Sequence, residues 1–182
     1  MKTLSKFLKW FTVLFLLRIL YLVILQIQNF YFLFIDKLEK LNMILSVSYP
    51  ENINKNVLLF ISIIMLGLLL YLIYNLFIFI KVSNSLNRNS VFKERNAAQL
   101  FIIGKSLIIF NSILILIKIP LKFMFLLNDN SMNQGNSYYF GYSLGYIIPK
   151  NLYLFITGIF ILIIAHLIRS GSFIKQENDL TI

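Results

Sequence analysis

Long apolar runs alternate along this chain with short polar segments. Four runs, from about Trp10 to Phe34, Val57 to Ile80, Ala97 to Ile119 and Ile147 to Ile168, can each cross a hydrocarbon core. Such a core is ~30 Å thick and takes about 20 helical residues. The runs are continuously apolar, whereas barrel strands would be alternating segments of about ten residues. The pattern predicts an all-α, polytopic membrane protein with four transmembrane helices in one bundle, a single membrane domain over residues 1–182.

The connecting segments have patterns of their own. IDKLEKLNMILSV, residues 35–47, is amphipathic and is expected to prolong the first helix outward until Pro50 ends it. Pro120 is expected to kink or stop the third helix, leaving the residues after it in the interface, with Lys118 and Lys122 on one face and reaching to headgroups. The segment NDNSMNQGNSYYFGYSLGY is polar and then rich in tyrosine. Tyr138, Tyr139, Tyr142 and Tyr146 suit an aromatic belt at the membrane surface leading into the fourth span. Gly141 and Gly145 form a GxxxG spacing, but at the membrane edge, where it carries little weight.

Charge orients the chain. It has 17 Lys and Arg against 7 Asp and Glu, a net charge of +10, and is 59% hydrophobic with a mean hydropathy of +0.80. Nine basic residues (Lys2, Lys6 and Lys9, the four from Lys81 to Arg95, Arg169 and Lys175) flank one side of the spans, and six (Lys37, Lys40, Lys55, Lys118, Lys122, Lys150) the other. The richer side is expected to be cytoplasmic, which puts both termini inside, with a cytoplasmic loop at 81–96 and a tail at 169–182. Basic residues at the ends of apolar runs fit anionic lipid headgroups on the cytoplasmic face of the cell membrane. Direct nucleic-acid binding is not expected, because no basic domain exists outside the membrane. The first run continues too far for a signal-peptide core and reads as a retained anchor. With no Cys, disulfides and thiolate chemistry are excluded.

Ionisable residues inside a span raise a functional question. Arg18 and Lys105 each lie eight residues into their runs, roughly 12 Å deep at 1.5 Å per residue. Asn75 and His166 fall in the same half of their own runs. Arg18, Asn75, Lys105 and His166 are therefore a candidate intramembrane polar pocket for an anionic group such as a lipid phosphate. The plainer alternative has the two cations stretching to headgroups while Asn75 and His166 bond helix carbonyls. No acidic residue lies in a span core, which disfavours a cation-coupled carrier. The lone His and the absence of GxSxG, HExxH or P-loop patterns leave no catalytic site, metal site or cofactor expected.

The stretch NSLNRNSVFKERNAAQLFIIG, residues 84–104, forms the expected cytoplasmic turn. Ser90 is the candidate cap of a helix starting at Val91, with Glu94 in its first turn. Phe92, Asn96, Leu100 and Gly104 follow at four-residue spacing, and the chain ends in ENDLTI after a short basic linker. This pattern resembles the bacterial integral-membrane family catalogued as domain of unknown function 2975, whose members are of similar length with four predicted spans. Val91 stands where that family usually has proline, and His166 where it commonly has an acidic residue.

The resemblance implies no established activity. Genes of the family often lie beside one for a small Cro-like helix-turn-helix regulator, which implies a non-catalytic regulatory or sensory membrane component whose face at 81–96 and 169–182 touches a cytoplasmic regulator protein. The apolar end of the DLTI tail suits a docking peptide as well as a solvated end. Two other readings stand beside this one: an immunity or envelope-protection membrane protein, and a small transporter subunit or lipid-binding carrier.

Overall fold

The computed structural model describes residues 2–45, 53–86, 93–128 and 135–180. It is all-helical, with no strand among the described residues. Helix α1 spans Lys2–Phe34, α2 Lys55–Leu86, α3 Glu94–Asn128 and α4 Asn136–Leu180, and a 3-10 turn lies at Leu38–Lys40. All four α-helices are long and apolar enough to cross a membrane. This is a multi-pass membrane protein.

Side-chain placement is inverted relative to a water-soluble fold. Gln26, Asn29, Ser62 and Asn111 are fully buried, whereas Trp10, Phe11, Tyr31 and Leu116 are exposed. Lipid tails are as apolar as a leucine core, so apolar side chains lose nothing by facing outward. Polar groups must find hydrogen-bond partners within the protein, on their own helix or a neighbouring one.

The helices extend beyond their apolar runs. Helix α3 does not stop at Pro120 but continues to Asn128. The proline ring is exposed and Leu121 after it is buried, so the helix stays packed just past the proline, while Met124, Phe125 and Leu127 further on are exposed. A proline costs one i→i−4 bond, and membrane helices tolerate that where local adjustment re-satisfies the freed carbonyl. Helix α4 likewise runs through Pro149, taking in the tyrosine-rich segment at one end and most of the expected tail at the other.

The first outer segment differs most from expectation. It does not prolong α1: the chain reverses at Asp36, which has φ 55°, and Lys37 N–H donates to Phe32 O at 3.0 Å. That i+5→i bond with a left-handed residue before it is a Schellman ending, a conformation that Asp tolerates better than most residues. Over residues 35–45 the amphipathic pattern is met by folding back, with Asn42 bonded to Asn29 of α1 and Ile44 fully buried.

The described residues form two compact units. The first comprises Met1–Arg18, Leu72–Ile109 and Leu154–Ile182; its core is Ile78 and Val82 of α2 with Ile103 of α3, packed by Phe79, Leu100, Leu107 and Ile161. The second comprises Ile19–Tyr71 and Phe110–Tyr153, and buries Leu33, Leu58, Met65 and Leu114. Ser90, Phe92, Pro50 and the last two residues of the DLTI tail lie outside the described residues.

Candidate functional site

The four residues of the candidate pocket all belong to the first unit, one on each helix. Their burial differs. Asn75 is buried at 6% exposure, whereas Arg18, Lys105 and His166 are exposed. An exposed cation on a long stem at this depth can carry its charge toward headgroups while its methylenes stay in hydrocarbon. Among the described residues no three His, Asp or Glu side chains gather into a group that could hold a metal ion.

The three described members of the stripe in α3 face inward. Lys93 O accepts from Asn96 N–H at 2.9 Å as the helix begins, and Asn96 is buried. Leu100 packs on the core of Ile78, Val82 and Ile103. Gly104 then meets α4: a Cβ placed on it would lie 2.9 Å from Gly158 O and 2.9 Å from Leu162 Cγ. One placed on Gly158 would lie 2.8 Å from Ile108 Cγ1 and 3.1 Å from Gly104 O. The two glycines thus bring two helix backbones into contact, as small residues do inside membranes. Gly141 and Gly145, by contrast, have nothing within 4 Å of an added Cβ.

In the second unit, polar side chains tie the helices and the outer segment together. Asn29 is fully buried in α1; its Nδ2 donates to Asn42 O at 2.9 Å and its Oδ1 accepts from Asn42 N–H at 2.7 Å. This two-point clasp satisfies a stretch of backbone that belongs to no helix. Gln26 Nε2 donates to Ser62 O at 2.9 Å, joining α1 to α2. Asp36 and Lys55 pair at 2.6 Å, linking the end of α1 to the start of α2.

Between α3 and α4, Asn111 Nδ2 donates to Asn151 O at 3.0 Å and Lys118 Nζ to Asn151 Oδ1 at 3.0 Å. Asn151 Nδ2 in turn donates to Ile147 O at 2.6 Å. Lys118 is therefore held by a neighbouring helix, and only Lys122 of the expected pair is free of such a bond to α4 side chains. Lys122 Nζ lies 5.5 Å from the Tyr146 ring centre and 4.8 Å from that of Phe125. Lys150 Nζ lies 3.5 Å from the Tyr146 ring. Tyr138, Tyr142 and Tyr146 stack along α4 with centroid spacings of 6.5 and 6.2 Å.

Neither Asn151 nor Gly158 stands out in the sequence. Their signal is only that each is small or polar within an apolar run, and their partners on α3 are 33 or more residues away.

The model of one protein family, described as a protein of unknown function (DUF2975), matches residues 42–182. Comparison with curated proteins and with solved structures gives no match.

Proposed function

The chain belongs to the DUF2975 family, and on that premise we propose that it is a non-catalytic regulatory component of the cytoplasmic membrane that docks a small helix-turn-helix regulator. The choice of partner rests on the gene association that the family resemblance brings with it. The observation that supports a docking role is the length of α4.

At 45 residues, α4 extends ~68 Å at 1.5 Å per residue, about twice the ~30 Å hydrocarbon core. Its last turns, Arg169–Leu180, continue as helix beyond the apolar run. Ser172 faces inward there and donates to Arg169 O at 2.7 Å, while Phe173 and Ile174 are exposed at 50% and 59%. Arg169 lies beside Phe173, its guanidinium 6.0 Å from the ring centre. A helix fixed on one face with an apolar pair on the other is what a partner with an apolar groove recognises.

The test is capture of a small Cro-like helix-turn-helix regulator, of the kind encoded beside genes of this family, by membranes carrying the full chain or the doubly substituted F173D/I174D form. The substitutions are expected to reduce capture at least tenfold without changing membrane insertion. Equal capture by both forms, or none by the unaltered chain, would refute the docking role.

A further inference from the structure

We propose that Lys122 and Lys150, converging on Tyr146, form a binding site for the phosphate of an anionic phospholipid. The site belongs to the second unit and does not depend on the docking reading above. Lys122 comes from α3 and Lys150 from α4, yet both ammonium groups address one ring, at 5.5 and 3.5 Å from its centre. They are therefore no more than 9.0 Å apart, the sum of those distances. A phosphate accepting from two ammonium groups through bonds of ~2.8 Å holds them roughly 6–8 Å apart, within that limit.

The Asp36–Lys55 ion pair lies elsewhere in the unit and takes up neither Lys122 nor Lys150. Tyr146 holds the two cations near each other through its ring face; Lys150 also bonds the Tyr146 side chain, and each ammonium, with three donors, keeps others for an oxygen ligand. Lys118, held by Asn151, adds a third positive charge one helical turn from Lys122. Like charges gathered in this way favour an anion in their midst.

Position favours a lipid as the source of that anion. Lys122 lies five residues from the end of a candidate span at Leu127, about 7.5 Å along the helix, which is headgroup depth. Tyr138, Tyr142 and Tyr146 are all about half exposed and stacked at four-residue spacing beside it. Such amphipathic rings lie at the boundary between headgroup and acyl chain, with hydroxyls available to the ester and glycerol oxygens.

The experiment is native mass spectrometry of the full chain in micelles, titrated with phosphatidylglycerol, phosphatidylcholine or inorganic phosphate. The unaltered protein is expected to retain phosphatidylglycerol at least tenfold better than phosphatidylcholine, and K122Q/K150Q to lose that preference. K122R/K150R should keep it, and single K150Q, a milder change, should weaken it severalfold. A control, K6Q/K9Q, should leave it unchanged. The proposal is overturned if K122Q/K150Q retains the preference, if the control loses as much, or if inorganic phosphate at millimolar concentration displaces the lipid from the site and binds equally well.

Discussion

Gly104 of α3 and Gly158 of α4 stand so close that an added Cβ on Gly104 would meet the Gly158 carbonyl at 2.9 Å. That carbonyl belongs to a packed helix and cannot rotate aside. The Cβ on Gly158 would meet Ile108 Cγ1 at 2.8 Å and the Gly104 carbonyl at 3.1 Å, and a β-branched side chain in a helix has little rotamer freedom to yield. G104A and G158A are therefore each expected to destabilise by about 1–3 kcal/mol, the usual cost of overpacking. G141A and G145A, inside α4 with open space around them, are expected to be neutral or to stabilise by up to about 1 kcal/mol. Thermal unfolding of the four variants in one detergent checks this order, and a G145A effect as large as that of G104A would contradict it.

The clasp between Asn29 and Asn42 predicts an exchange signature. Replacing Asn29 with Leu removes the acceptor of Asn42 N–H and the donor to Asn42 O together. Unpaired, partly buried backbone groups cost about 1–3 kcal/mol. Residues 41–45 are expected to exchange amide hydrogens at least tenfold faster in N29L, while the α2 core keeps its protection. N29D should be intermediate, since it keeps an acceptor and loses the donor. Unchanged exchange at Asn42 in N29L would remove the clasp's role.

Asp36 combines two opposing effects. Its left-handed backbone, φ 55°, favours glycine, while its carboxylate pairs with Lys55 at 2.6 Å. The carboxylate is 72% exposed, so the pair contributes little; exposed pairs contribute roughly 0–1 kcal/mol. Left-handed backbone costs an ordinary L residue about 1–2 kcal/mol, and a β-branched one more. The expected stability order is D36G at or above D36A, with D36V lowest. Denaturation midpoints check it, and D36G falling below D36V would show that the ion pair dominates.

The four spans were legible because hydrocarbon length marks membrane depth directly. Helix ends were not, and for a related reason. Once helical, a chain near lipid keeps its backbone bonded internally through polar residues and even through Pro120, so the apolar run sets a minimum length and not the end. The turn at Asp36 overrode an amphipathic pattern because Asn29, buried in α1, offered the outer backbone two hydrogen bonds. Of the four candidate pocket residues, Asn75 faced inward while Arg18, Lys105 and His166 did not. Composition gives the depth of such residues, but their direction depends on which neighbour each helix meets. The inward face of Asn96, Leu100 and Gly104 was readable from four-residue spacing, whereas Gly158 was not, because its role comes from helix register across a long sequence gap.

Lys118 and Asn151 offer a test of coupling inside the second unit. The half-buried ammonium donates to Asn151 Oδ1 at 3.0 Å, and the same asparagine holds Asn111 through its backbone carbonyl. N151L leaves the Asn111 bond possible, because that bond uses the main chain, but strips Lys118 of its acceptor. K118M removes the charge together with its need for a partner. Asymmetry of this kind is general: losing one partner of a buried polar pair costs the desolvation of the other, about 1–3 kcal/mol and more for a charge. N151L is thus expected to be more destabilising than K118M, and the double variant K118M/N151L to be less destabilising than the two single effects added. Coupling of about 0.5–2 kcal/mol from a double-mutant cycle is the expected result. Strict additivity would mean that Lys118 draws its partners from the headgroup region instead.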